Sequence, residues 1–174
     1  MSDFLGRYGI ILVLAVMVGC QSAETDQEVP SNGMVMTGDY SGSAFTIATT
    51  YEDEIFMDMV EAFNNMDAEA LWESAADTVM FHQSDGTVGP LTQADMAAFF
   101  SSADSLSWEI DAVIPVKAAG SNRVNILVDS REVVYMNDGS VMRRKLFERF
   151  IFEEGTLVGV RQWEAAMPAS VQGM

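Results

Sequence analysis

Residues 123–165 read RVNILVDSREVVYMNDGSVMRRKLFERFIFEEGTLVGVRQWEA, and this stretch decides the fold. From Arg123 to Met136 apolar and polar residues alternate, the period of a half-buried strand. Asn137-Asp138-Gly139 follows, a strong hairpin signal. Val141 to Phe152 alternates again, Glu153-Glu154-Gly155 supplies a second turn, and Leu157 to Ala165 reads as a last strand. One strand earlier, Trp108, Ile110, Ala112, Ile114 and Val116 alternate with Ser107, Glu109 and Asp111, and Ala119-Gly120-Ser121-Asn122 turns the chain. Four long antiparallel strands in a meander are therefore expected.

Helices are expected before the meander. Over residues 50–66, Ile55, Phe56, Met59, Val60 and Phe63 fall on one helical stripe, with Glu52, Asp53, Asp58 and Glu61 off it. Thr50 and Asp53 have capping-box spacing. Asp67 caps a second, short helix over 68–75, with Leu71 and Trp72 inward. Thr78 to Gln83 reads as a short strand, Ser84-Asp85-Gly86 as a turn, and Gly89-Pro90 as a further break. Thr92, with Asp95 three residues on, caps a third helix with Met96, Phe99 and Phe100 on its apolar face. Three N-terminal helices packed on a curved, mostly antiparallel sheet make an α+β domain, a cone-shaped roll that encloses a pocket.

The N-terminus differs from the rest. Residues 10–19, IILVLAVMVG, form an apolar run too short to span a bilayer, which needs about 20 such residues, but suited to the core of a secretory signal. Val18-Gly19-Cys20 closes it, and Cys20 is the only cysteine. A small residue before a cysteine at the end of an apolar run resembles the lipobox of bacterial lipoproteins. That resemblance implies removal of residues 1–19, lipidation of Cys20 and residence at the cell envelope on a membrane anchor. Residues 20–48 then read as the lipidated cysteine and a flexible linker, 49–166 as the domain and 167–174 as a loose tail.

The formal net charge is −17, and residues 21–116 hold no Lys or Arg at all. This excludes the basic footprint of a nucleic-acid binder. It also argues against docking on anionic lipid by charge alone. With one histidine and one cysteine, no metal centre is expected, and no cofactor is implied.

Several strings resemble the nuclear transport factor 2-like superfamily, which includes ketosteroid isomerase, scytalone dehydratase and the SnoaL-type polyketide cyclases. They are Asn65-Met66-Asp67 through Ala76-Asp77-Thr78-Val79-Met80-Phe81-His82-Gln83, then Asp85-Gly86 with Gly89, then residues 149–158, RFIFEEGTLV. The resemblance covers roughly residues 50–166. It implies a pocket in the cone and, by position, a general base at Gln83, a tyrosine donor at Met59 and a protonated carboxylic acid at Glu148. Gln83 and Met59 cannot play those parts. The Asp-Arg-Asp set of limonene epoxide hydrolase is open only to Asp129, Arg131 and Glu148, and strand parity puts Asp129 and Arg131 on the outer sheet face, paired with Arg143, Lys145, Asp111 or Glu109.

The candidate catalytic residues are Glu148, His82 and Gln83. Glu148 shares the apolar face of its strand with Leu146, Phe150 and Phe152, where burial raises a carboxyl pKa; it acts as a general acid or base or pairs with Gln162. His82 is a proton shuttle or a strand-end residue facing away from the pocket. Pocket lining is expected from Met59, Phe63, Trp72, Phe81, Phe99, Trp108, Ile110, Phe150 and Gln162. Three functions follow: a pocket for a small apolar ligand, an isomerase, dehydratase or cyclase using Glu148, or an envelope module that forms a homodimer through the outer sheet face around Trp163.

Overall fold

The computed structural model describes residues 33–36, 41–48 and 51–167. Cys20, the expected signal segment, Thr50 and residues 168–174 lie outside them. Ten elements follow in order: β1 (Phe45–Ile47), α1 (Glu52–Asn64), α2 (Ala68–Trp72), β2 (Ala75–His82), β3 (Val88–Leu91), α3 (Gln93–Ser102), β4 (Ala103–Ala118), β5 (Arg123–Met136), β6 (Val141–Glu153) and β7 (Thr156–Ala166). One seven-stranded sheet runs β1-β4-β5-β6-β7-β2-β3, and every pairing is antiparallel except β2 with β7. This is the expected α+β roll, a cone with the helices on one face.

The helices begin where local chemistry satisfies their free amides. The Asp67 carboxylate accepts from the backbone N–H of Glu69 and Ala70 at 3.1 and 3.0 Å. Thr92 and Asp95 form a reciprocal capping box on α3. α1 has no side-chain cap; Glu52, Asp53 and Glu54 in its first turn complement the helix dipole instead. Its apolar stripe lies on the sheet, and Phe56 is fully buried against Trp108 and Phe150, with ring centroids 5.7 and 4.9 Å away.

The turns hold the meander in register. Glu154 and Gly155 both have positive φ, the pattern of a type I′ hairpin. The positive φ favours glycine at 155, and a Cβ there would also displace the ring of the exposed Tyr51.

Three features depart from the sequence reading. First, a bulge in β4 moves the pairing from Ile110↔Ser130 to Ala112↔Asp129, leaving Asp111 as the extra residue. Side-chain parity flips there, so Val113 packs on the core and Ile114 is exposed, reversing the expected alternation. Second, Gly89-Pro90 lies within β3 rather than breaking the chain; β3 is an edge strand, where proline costs no ladder bond. Third, β1 pairs with β4, and the Ala48 amide donates to the Pro115 carbonyl at 2.9 Å. Part of the segment assigned to the linker therefore belongs to the domain. β1 is only three residues long, Phe45-Thr46-Ile47, so its alternation is too brief to stand out from the polar segment before it.

Candidate functional site

The inner sheet face and the three helices enclose a cavity of about 460 Å3, within the usual range for small-molecule sites. α1 contributes Met59 and Phe63, α2 Leu71 and Trp72, α3 Met96 and Phe99. The sheet contributes Phe81, Trp108, Leu146, Phe150, Leu157 and Val160. The aromatic wall is continuous: Phe63 lies 5.2 Å from Trp108 and 6.4 Å from Phe99, and Trp108 lies 5.9 Å from Phe150.

Polar groups converge on one side of this wall, delivered by strand register. Glu148 stands opposite Gln162, and Glu132 opposite Arg144. The Gln162 amide donates to Glu148 Oε1 at 3.0 Å, while Glu148 Oε2 is buried without a hydrogen-bond partner. Burial pushes the Glu148 carboxyl up to about 7; Gln162 opposes this, the Glu132 charge adds to it, and Arg144 and Ser130 oppose it more weakly. Trp108 Nε1 donates to Ser130 Oγ at 3.0 Å, so this indole is fixed by a buried hydroxyl. Arg144 Nε donates to Glu132 Oε2 at 2.7 Å, and Arg144 Nη1 reaches Glu164 at 3.1 Å. Burial disfavours the Arg144 charge, but Glu132 and Glu164 outweigh it and hold the guanidinium above its usual range. The lining thus carries Asp85, Asp95, Glu132, Glu148 and Glu164 against Arg144 alone.

Most expected site residues meet here: Glu148, Gln83, Met59, Phe63, Trp72, Phe81, Phe99, Trp108, Phe150 and Gln162 all line the cavity. Two do not. Ile110 packs beside the core next to the β4 bulge, away from the lining. His82 turns to the outer face, because Phe81 occupies the inward position on β2; its Nδ1 lies 3.4 Å from Arg161 Nη2. A Glu148–His82 proton relay is therefore ruled out by the geometry. Asp129 and Arg131 are also on the outer face: Arg131 pairs with Glu109 and Asp111, and Lys145 with Asp111 and Asp129. The epoxide-hydrolase arrangement is absent from the described residues.

The cavity also holds polar residues that the sequence reading missed: Glu132, Arg144 and Glu164 at one end, Asp85 and Asp95 from the loop and α3. Parity identifies the strand members, since Glu132 is in step with Ser130 and Arg144 with Leu146 and Glu148. Among the described residues no group of three His, Cys, Asp or Glu side chains is arranged to hold a metal ion.

No protein-family model matches the chain, and no curated protein matches it. Solved structures do. A hexachlorocyclohexane dehydrochlorinase, LinA-type3 from Novosphingobium barchaimii, aligns with a TM-score of 0.55 at 7% identity, over 70% of this chain and 90% of that one. A proposed dehydratase of the nuclear transport factor 2-like family from Streptomyces avermitilis gives 0.53 at 10%, over 66% and 94%. An uncharacterized cystatin-fold protein from Novosphingobium aromaticivorans gives 0.53 at 19%, over 64% and 96%. At these identities the likeness establishes the fold and assigns no activity.

Proposed function

We propose that this protein is a lipid-anchored envelope protein whose cone holds one small, largely apolar molecule, oriented by Glu148. The carrying observation is the buried Glu148 carboxyl, with Oε2 unpartnered, in an aromatic-walled cavity. A neutral carboxylic acid donates one hydrogen bond and accepts others, so it suits a ligand with a single polar group. The carboxylates around the lining disfavour an anionic ligand and favour a neutral or cationic one, the latter also supported by the aromatic faces. Membrane attachment rests on the apolar run of residues 10–19 closed by Cys20.

The full chain carrying Cys20→Ala, free of its own acyl groups, tests the pocket. N-phenyl-1-naphthylamine is expected to bind saturably, one per chain, and to be displaced by decanol and decylamine. Decanoate is expected to compete at least about tenfold more weakly. Non-saturable partitioning of the probe, or equal competition by decanoate, contradicts the reading. For the anchor, radioactive palmitate is expected to label the unaltered chain and not Cys20→Ala; equal labelling removes that part.

A second reading makes Glu148 a general acid–base for an isomerase, dehydratase or cyclase reaction. Its raised pKa favours this, because a group that titrates near neutrality exchanges protons readily there. It differs in outcome: Glu148→Gln would keep ligand affinity and lose turnover.

A further inference from the structure

On the sheet face away from the cavity, Arg149 of β6, Arg161 of β7 and His82 of β2 occupy one cross-strand row. Register pairs Arg149 with Arg161, and Arg161 with His82. Like charges directly opposite on neighbouring strands are destabilising, so the row invites an explanation. Carboxylates are abundant in this chain, with 26 Asp and Glu against 9 Lys and Arg. Arg123, Arg131, Arg144 and Lys145 each have an acidic partner. Among the described residues Arg149 and Arg161 have none. Lys117 and Arg143, which lies over the Tyr135 ring, also have none, but only Arg149 and Arg161 stand directly opposite each other, and Arg149 Nε is buried and unpartnered.

The surroundings do not neutralise the row. On one side lie the exposed Phe147 and Trp163, directly opposite each other with rings 5.8 Å apart. On the other side the register places Ile151, Gly159 and Met80, and Leu127 and Val88 close its two ends. Glu153 and Asp129, the acidic residues nearest along the flanking strands, are held by Arg123 and Lys145. An arginine only donates, so the 3.4 Å contact makes His82 Nδ1 the acceptor and steadies Arg161.

We propose that this row is a binding site for an oxyanion of the phosphate class. Two guanidinium forks at cross-strand spacing converge on a tetrahedral oxyanion, which accepts from both and relieves their repulsion. The apolar flanks keep water from one side and strengthen each charge-assisted bond. A homodimer through the same face would set this row against its own copy across a two-fold axis, and the like charges argue against that arrangement in the absence of a bound anion. The same chemistry is offered by a soluble phosphate and by a phospholipid headgroup.

The test uses the full chain in a neutral detergent. Phosphate is expected to raise the melting temperature above that in chloride of equal ionic strength, since a ligand of the folded state stabilises it. Arg149→Gln and Arg161→Gln are each expected to bind phosphate about tenfold more weakly by calorimetry, and to melt higher than the unaltered chain when no phosphate is present. Lys117→Gln, which removes a cation elsewhere, should change nothing. Flotation of Cys20→Ala with vesicles of phosphatidylcholine, with and without phosphatidylglycerol, separates the sources: binding that needs phosphatidylglycerol and both arginines assigns a headgroup, and phosphate binding without it assigns a soluble ligand. Equal melting in phosphate and chloride together with no flotation overturns the proposal, as does binding untouched by both substitutions. If the glutamine variants fail to fold, the unaltered chain alone decides through its phosphate–chloride difference, and Arg161→Lys, which keeps the charge but loses the fork, should weaken binding in part.

Discussion

Phe56→Ala is expected to destabilise the protein by about 3–5 kcal/mol, the usual cost of deleting a buried aromatic ring. Phe56 has no exposed surface. Its ring fills the space between α1 and the sheet and touches both Trp108 and Phe150. Trp108 is tied to Ser130, and α1 is fixed along its length by Met59 and Val60 in the same core. The walls are therefore held in place and cannot collapse into the void, which puts the cost toward the upper end of that range. Met57, the next residue, is exposed, and Met57→Ala should stay within about 0.5 kcal/mol. Urea unfolding of the two variants checks this; equal midpoints would contradict the described core.

Arg144→Met is expected to cost a similar amount, about 3–5 kcal/mol, for a different reason. The Glu132 side chain is only 5% exposed, and Arg144 is its cation. Removing the guanidinium leaves a buried carboxylate uncompensated and frees Glu164 as well. It also takes away a charge that lowers the Glu148 pKa, so that carboxyl should move further up. The double variant Glu132→Leu with Arg144→Met should recover most of the loss, because an apolar pair replaces a buried ion pair at little net cost. Chemical denaturation of the single and double variants separates this from simple loss of packing: a double variant as unstable as Arg144→Met would mean that the charge is not the cause.

Where the sequence alternates cleanly, it also specifies the site. β5, β6 and β7 alternate without interruption over their central parts, and their parity places Glu148, Phe150 and Gln162 inward and Asp129, Arg131 and Trp163 outward, as the structure has them. Parity fails beyond the β4 bulge because Asp111 is one inserted residue, and no composition signal marks it, so Ile114 is misplaced. Ile110 precedes the bulge and keeps its inward parity, but packs beside the core rather than on the cavity. The edge strands β1 and β3 are illegible for another reason. Both are short and bond to one neighbour only, so Pro90 is tolerated in β3 and the alternation of Phe45-Thr46-Ile47 in β1 is too brief to read. Arg144 is hidden by its type: a charged residue reads as a surface residue unless its inward partner, here Glu132, is counted on the next strand. His82 sits between two inward candidates, Phe81 and Gln83, and the bulkier apolar neighbour wins the pocket.

The central claim is that Glu148 is the polar anchor of an apolar pocket and is largely protonated below neutrality. Its folded pKa, about 7, lies above the ordinary 4.5. The folded state therefore binds this proton more tightly than the unfolded chain. The resulting stabilisation, about 3 kcal/mol, is present in full below about pH 4.5 and is lost as pH rises through 7. Carbon-13 NMR titration of the glutamate carboxyls, with the Glu148 signal identified by its loss in Glu148→Gln, tests this most directly. The account predicts a midpoint near 7 that moves when N-phenyl-1-naphthylamine saturates the pocket. A midpoint near 4.5, unmoved by the probe, would contradict it.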